Sequence, residues 1–419
     1  MSEVKDVVVI GGGLLGSVLT WMLAGDGASV TLLERDQVNA HASGQNAGSL
    51  HFQLEYRMVE EGMASARRAA EALPLHLDAA ERWRGLADEL GESLGVVQHG
   101  GLMLAENAAQ VEVLRAKSEL ERSYGLDVTV LDGDEARQVA PYLSDEVVAA
   151  ALCPIEGKAD TRIAGPAFAR GAMRRGATVR TGREVTGIRR DGDAWVVTTQ
   201  PTQSTQSAQP SQSAQPSQSG GSATGRTSRA GEETIRATAI AIAAGVWSAD
   251  IGRMVGASLP SIPLALTMTV TNKQPAFLPH LVQHAGARLS LKQSHDGTVL
   301  IGGGWPARLV TGADGIPNLD TRPQLIRSSV SGNAAAALRV VPRLQEVCAL
   351  RTWVGTTNVA PDQLPLVGAV PGAPGAFVAT GGSAFTLGPS FARILADLIG
   401  GKRPQFDLSP YDPTRFAHV

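Results

Sequence analysis

Val7-Val8-Val9-Ile10-Gly11-Gly12-Gly13-Leu14-Leu15-Gly16 is an apolar run that opens into a glycine turn and continues as an apolar segment to about Ala24. Gly11, Gly13 and Gly16 stand at GxGxxG spacing. The first permits a tight turn, the second lets backbone approach a pyrophosphate at a helix N-terminus, and the third lets helix and strand pack closely. A second apolar run, 29–33, ends at Glu34, 18 residues beyond Gly16, where a carboxylate can accept hydrogen bonds from ribose hydroxyls. Strand, turn, helix, strand and acid in this order predict a dinucleotide-binding βαβ unit. The unit alone does not distinguish a flavin from a nicotinamide dinucleotide.

At 419 residues the chain exceeds one compact core, and two domains of unequal size are expected. Hydrophobic residues make up 43% and charged residues 18%, a globular composition rather than that of a disordered or membrane protein. A formal net charge of -3 gives no electrostatic reason to expect nucleic acid or an anionic membrane as partner. The opening MSEVKDVVVIGGG runs into the glycine turn without a signal-peptide core, and no later window is apolar for long enough to span a bilayer. A cytoplasmic protein that is not an integral membrane protein is therefore expected. Cys153 and Cys348 belong to no CxxC pattern, so no disulfide, zinc site or iron–sulfur cluster is expected, and both are read as small buried hydrophobes.

Residues 200–230 carry SAQPSQ twice in tandem, from Ser207 and Ser213, and too little apolar surface to order themselves. They read as a flexible insert between two strands of one domain, 194–199 and 233–243. Two helices are expected over 58–92, divided at Pro74. Short strands at 262–271, 287–292 and 298–301 predict a second, mainly antiparallel region, followed by helices at 323–340 and 390–399. The predicted fold is α/β: a Rossmann-like dinucleotide-binding domain with a mainly antiparallel α+β substrate domain. The first takes residues 1–80, 150–257 and 350–419, and the second 81–149 and 258–349.

His41-Ala42-Ser43-Gly44-Gln45-Asn46-Ala47-Gly48-Ser49-Leu50-His51 is a small-residue polar loop unsuited to a core. With the glycine turn, it resembles the amine-oxidising FAD family of glycine oxidase, sarcosine oxidase and the D-amino acid dehydrogenases. The resemblance implies that Ser43, Gln45, Asn46, Ala47, Gly48 and Leu50 wrap the pyrophosphate and approach the flavin, with Leu15, Glu34 and Arg35 also at the cofactor. Three further segments extend it: 176–188, where Val185 would hold adenine through its backbone; Ala243-Ala244-Gly245-Val246-Trp247-Ser248, placing Ala244, Gly245 and Trp247 beside the cofactor; and the C-terminal series. That series is Arg351-x-Trp353-x-Gly355, Pro361-Asp362, Thr380-Gly381-Gly382-Ser383 and Thr386-Leu387-Gly388-Pro389. Gly382, Ser383, Thr386, Leu387 and Gly388 are implied to close over the flavin, with backbone amides stabilising charge on the reduced ring.

The family's glycine oxidases carry an arginine in this final loop, whereas this chain has Gly382-Ser383-Ala384-Phe385, which argues against simple glycine or sarcosine oxidation. The loop 43–51 is most similar to the β subunit of multi-subunit opine and D-hydroxyproline dehydrogenases. That implies a small amino acid or opine substrate, dissociable FAD, and partner subunits that carry further redox centres. His51 is the candidate catalytic residue, since imidazole titrates near neutral pH. Arg57 could meet a substrate carboxylate but reads first as a surface residue, and Trp305 and Arg308 could line the substrate side but read first as a packed tryptophan and a solvated arginine. A self-sufficient oxidase that uses oxygen, a non-catalytic flavin-bearing subunit and, more weakly, a nicotinamide dehydrogenase are the alternatives.

Overall fold

The computed structural model describes residues 4–202 and 231–416. The strand Val4–Ile10 enters the glycine turn and the helix Leu14–Gly25, which is buried along nearly its whole length. Val30–Leu33 then returns parallel to the first strand, with Val7 beside Val30 and Ile10 beside Leu33. The four paired residues of each strand are buried, which suits a parallel sheet covered on both faces. The sheet runs in the order Leu366–Ala369, Ala376–Thr380, Glu233–Ile242, Val4–Ile10, Val30–Leu33 and Thr178–Arg180, with Ala194–Pro201 antiparallel to Glu233–Ile242 and Arg183–Asp191 antiparallel in turn to Ala194–Pro201. Its helical face packs on Leu14, Val18, Phe168, Phe391 and Leu395, and its other face on Trp195, Ile251 and Leu259. The repeat-bearing segment 203–230 lies outside the described residues.

A second eight-stranded sheet has the order Ala349–Val359, Ile262–Lys273, Thr298–Gly302, Ser290–Gln293, Leu281–His284, Gly101–Ala105, Ala149–Cys153 and Thr129–Asp132. It is antiparallel except where Leu281–His284 runs parallel to Gly101–Ala105, and the helix Arg327–Val340 covers one face through Ala336, Ala337 and Val340. The chain thus builds the expected Rossmann-like unit and a largely antiparallel partner.

The divisions drawn at 80, 149 and 350 cut through regular elements. Leu73–Leu90 is one continuous helix with Pro74 in its first turn, where the missing N–H costs nothing. Ala149–Cys153 pairs on both sides within the second sheet, and Ala349–Val359 pairs with Ile262–Lys273 along its full length. Both strands therefore belong to that sheet. The helix expected from 323 starts at Arg327, because Gln324 is held extended by a bridge to Arg308. Cys153 is buried, but Cys348 is exposed, since it precedes a strand at the open edge of the sheet. Among the described residues no helix is long and apolar enough to cross a membrane.

Candidate active site

The glycine turn is built too tightly for any side chain. Gly11 has φ 110°, and a Cβ there would lie 2.5 Å from the Ala243 carbonyl oxygen. A Cβ on Gly16 would lie 1.9 Å from the Gly11 carbonyl oxygen. Gly13 precedes the helix, and the first helical amide, Leu14 N–H, donates to Ser43 Oγ at 3.0 Å. Ser43 thereby brings the 41–50 loop to the positive end of the helix.

Glu34 ends the second strand and is buried. Its two carboxylate oxygens accept the amides of Gly12 and Asp36, each at 2.7 Å. Arg183 N–H donates to the Glu34 carbonyl at 2.9 Å, which brings the strand with buried Val185 beside the acid. The Arg35 guanidinium stacks 4.2 Å above Trp247, so two residues expected at the cofactor contact each other, although neither lines the cavity.

The 41–50 loop holds its shape through Asn46. Its side-chain N–H groups donate to the carbonyls of Ala42 and Ser43, and its Oδ1 accepts the Gly48 amide at 2.6 Å. Gly48, at φ 72°, lies where a Cβ would come 2.3 Å from the Ala159 carbonyl oxygen. Trp353 Nε1 donates to the Gln45 carbonyl at 2.8 Å, tying the second sheet to the loop. The C-terminal loop closes from the other side. Thr386 Oγ1 donates to the Ser49 carbonyl, and Trp83 Nε1 donates to that of Thr386. Ser383 takes a positive φ of 58° between Gly381 and the helix Gly388–Ile399.

These segments enclose a cavity of about 650 Å³ running from Gly13, Leu15 and Ser43, past Gln45, Asn46, Ala47 and Gly245, to Gly382, Ser383 and Thr386. Gly11 and Gly16 belong to the glycine turn and do not line the cavity, and Ala244 packs against Gly11. Leu50 and Leu387, also expected at the cofactor, turn their side chains into the core and do not line the cavity, as apolar side chains in wholly covered segments should. Gly388 starts the last helix against Leu14.

The cavity's far end is chemical rather than nucleotide-shaped. His51 is 8% exposed, with Nε2 3.1 Å from Ser290 Oγ on the second sheet. Arg57, read as a surface residue, is half-buried and lines the cavity: it donates to Gln363 Oε1 at 2.9 Å, Ser383 Oγ at 3.0 Å and Glu55 Oε1 at 3.1 Å. It turns inward because Gly382 leaves the space; a Cβ there would lie 3.2 Å from Arg57 Nη2. Burial pushes the Glu55 carboxyl up, but Arg57, His51 and the hydrogen bonds from Ser383 and Arg57 outweigh burial and hold it at about 2. Leu264, Leu266, Met268 and Leu289 form an apolar wall, with Arg288 and Glu60 near the rim. Glu55, Ser290, Arg288 and Gln363 carry no signal in the sequence, since each is an ordinary polar residue until folding assembles them. Trp305 is packed, with Nε1 donating to the Arg288 carbonyl at 2.7 Å, and Arg308 is exposed.

A second cavity of about 700 Å³ lies along the same loop and shares Gln45, Asn46 and Ala47. Lys158, Arg162, Arg322 and Arg351 give it a cationic lining around buried Lys292, with Asp160 and Asp296 among them.

The donor set fits FAD. The glycine cradle and Ser43 could receive a pyrophosphate, Glu34 and the 183–185 strand could hold the nucleoside, and the cavity that begins at Gly13 and Ser43 is also lined by His51. The chain's residues 6–398 match the family model described as FAD dependent oxidoreductase. It is 28% identical to human mitochondrial sarcosine dehydrogenase over all of its own length, but spans only 42% of that protein. It is 26% identical to glycine oxidase of Geobacillus kaustophilus, covering 99% of this chain and 98% of the relative. The crystal structure of that species' glycine oxidase superimposes with a TM-score of 0.80 over both whole chains at 25% identity. An opine oxidase subunit of Rhizobium meliloti is 24% identical over 98% of this chain and 97% of the relative. With its glycine cradle, buried acid and closing C-terminal loop, this chain belongs to the family of FAD-dependent oxidoreductases.

Proposed function

We propose that this chain is the catalytic FAD subunit of a dehydrogenase that oxidises the C–N bond of a secondary or D-amino acid, such as an opine or D-hydroxyproline. The carrying observation is the placement of Arg57, held by Ser383 and Gln363, in the same cavity as His51 and Ser290. A guanidinium can orient a carboxylate, and an imidazole can take a proton from an amine. FAD, bound without a covalent link, supplies the hydride acceptor for the carbon next to nitrogen.

The protein's own contribution is positional. Three of Arg57's five N–H groups serve Gln363, Glu55 and Ser383, which fixes the plane of the guanidinium before substrate arrives. The wall of Leu264, Leu266, Met268 and Leu289 excludes water from the reacting carbon, and His51 Nε2 with Ser290 Oγ sits ready for the ammonium proton. Similarity to the opine oxidase subunit along 97% of that protein supports passage of electrons to partner subunits. The cationic second cavity across the flavin loop supports an acceptor on that side.

An anaerobic absorbance titration of the flavin-loaded chain against octopine, nopaline, D-hydroxyproline, sarcosine and D-alanine tests this reading. Bleaching by one opine or imino acid is the expected result. An unchanged spectrum with every amine, alone and with its co-expressed neighbours, overturns it and leaves a non-catalytic flavin-bearing subunit. Rapid peroxide formation by the chain alone points instead to a self-sufficient oxidase.

A further inference from the structure

Behind His51 lies a chain of polar side chains sealed from water. Glu156 is fully buried; its Oε1 accepts the backbone amides of Phe52 and Gln53 at 2.8 and 3.0 Å, and its Oε2 accepts Gln53 Nε2 at 3.0 Å. Gln53 Oε1 accepts from Lys117 Nζ at 3.0 Å, and Lys117 also donates to Glu121 Oε2 at 2.8 Å. Glu121 Oε1 takes the Leu54 amide at 2.7 Å. Lys117, Glu121 and Gln53 are all fully buried. Lys117 thus pairs directly with Glu121 and reaches Glu156 only through Gln53, which leaves the Glu156 carboxylate without an ammonium partner among the described residues and with room for one positive charge beside it.

The group best placed to supply it is His51. Its Nδ1 is buried without a hydrogen-bond partner among the described residues, and it lies 4.0 Å from Glu156 Oε1, while Nε2 faces Ser290 and the cavity. A nitrogen lone pair aimed at a carboxylate is repelled, whereas an N–H is attracted. We propose that Glu156 is a positioning residue for amine oxidation: it keeps the proton of neutral His51 on Nδ1, leaves Nε2 as the base facing substrate, and stabilises the imidazolium that forms. The assignment rests on the function proposed above for this cavity. In the step itself the substrate's ammonium N–H bond breaks, the proton joins Nε2, and the amine nitrogen keeps the electron pair, leaving a neutral amine from whose adjacent carbon bound FAD would accept hydride.

The other charged neighbours are accounted for. His76 donates through Nδ1 to the His51 carbonyl at 3.1 Å, and burial lowers its pKa to about 4, so it adds no charge at neutral pH. Glu55 and Arg57 face His51 from the cavity side as a pair. Lys292, on the strand that carries Ser290, lines the other cavity. Burial pushes the Glu121 carboxyl up against the pull of Lys117, and in either protonation state Glu156 is the carboxylate of the buried chain that faces Nδ1.

The test uses the full flavin-loaded chain and two readouts. In ¹⁵N-histidine spectra, with His51→Gln identifying the signal, the expected neutral tautomer carries its proton on Nδ1; a proton on Nε2 overturns the proposal whether or not any amine is oxidised. In the pH dependence of anaerobic flavin reduction by the best amine, Glu156→Gln keeps an acceptor oxygen for the Phe52 and Gln53 backbone amides, though not for Gln53 Nε2, and is expected to move the His51 limb down by about one unit. Glu121→Gln, farther along the chain, is expected to move it much less. An unmoved limb in a folded Glu156→Gln protein with full flavin content overturns the proposal. If that variant does not fold, the wild-type tautomer decides. If no amine reduces the flavin, the function reading fails while the tautomer still reports on Glu156.

Discussion

Arg57 and Ser383, 326 residues apart in the chain, meet at 3.0 Å across the mouth of the flavin cavity. The contact places a planar cation where Gly382 offers no side chain, so the C-terminal loop gains its arginine from a different segment. Hydrogen bonds to charged groups contribute about 1.5–3 kcal/mol each. Arg57→Lys, which keeps the charge but loses the fork, is therefore expected to raise KM for a carboxylate-bearing amine roughly 10- to 100-fold, with a smaller change in kcat. Steady-state kinetics check this, and an unchanged KM would remove Arg57 from the substrate site.

The partner of that arginine sets an acid limit. Glu55 is held at about 2 in the folded chain against its ordinary 4.5, because Arg57, His51 and Ser383 outweigh the cost of burial. A depressed carboxyl stabilises the fold above its unfolded pKa and loses that contribution as pH falls through the folded value. Its contribution is complete above about pH 5 and fades between about 4.5 and 2. About a quarter of the Glu55 side chain is exposed, so solvent screening keeps the effect modest. The expected outcome is that wild type loses more melting temperature between pH 5 and pH 3 than Glu55→Gln does, as measured by calorimetry.

Gly16 offers a sharper test of the cofactor site. Alanine there would place Cβ 1.9 Å from the Gly11 carbonyl oxygen, a clash with backbone that no rotamer relieves. The helix and first strand would have to separate, at a cost of several kcal/mol. Gly16→Ala is expected to yield protein with little or no flavin and a lowered melting temperature. Gly27→Ala serves as the control: its φ of 92° strains any replacement, but nothing lies near the added methyl group, so flavin content should stay normal. Full flavin content in Gly16→Ala would refute the turn geometry.

How far the site can be read from sequence follows from how local each interaction is. The glycine turn, Glu34 and the strands on either side depend on neighbours within about one βαβ unit, so spacing alone locates them. The 43–51 loop is legible because small residues must let backbone approach, and Asn46 braces it from within. Arg57 reads wrongly as a surface residue because its partners Gln363 and Ser383 lie more than 300 residues away. Glu156 follows a proline-containing turn like many exposed acids, and only the packing of Gln53, Lys117 and His51 makes it a buried charge. Cys348 misleads for the converse reason: its hydrophobicity says nothing of the sheet edge beside it.

Lys292 makes a prediction in which removing a charge strengthens the fold. It is 3% exposed, and its Nζ makes a long 3.4 Å contact with the Ala159 carbonyl. Burial, with Lys158 and Arg162 adding to it and Asp160 opposing, lowers its pKa from 10.5 to about 7. The unfolded chain takes up this proton near 10.5 and the folded chain only near 7, so the unfolded state binds more protons between those values and stability rises with pH across that window. Lys292→Met keeps most of the volume and removes the penalty, which is on the order of 5 kcal/mol at most. The variant is expected to melt several degrees higher than wild type at pH 7, with the gap narrowing as pH approaches 10. Melting curves at pH 7, 8.5 and 10 measure it directly. A Lys292→Met protein less stable than wild type at pH 7 would mean that the ammonium is compensated within the second cavity and that its burial carries no net cost.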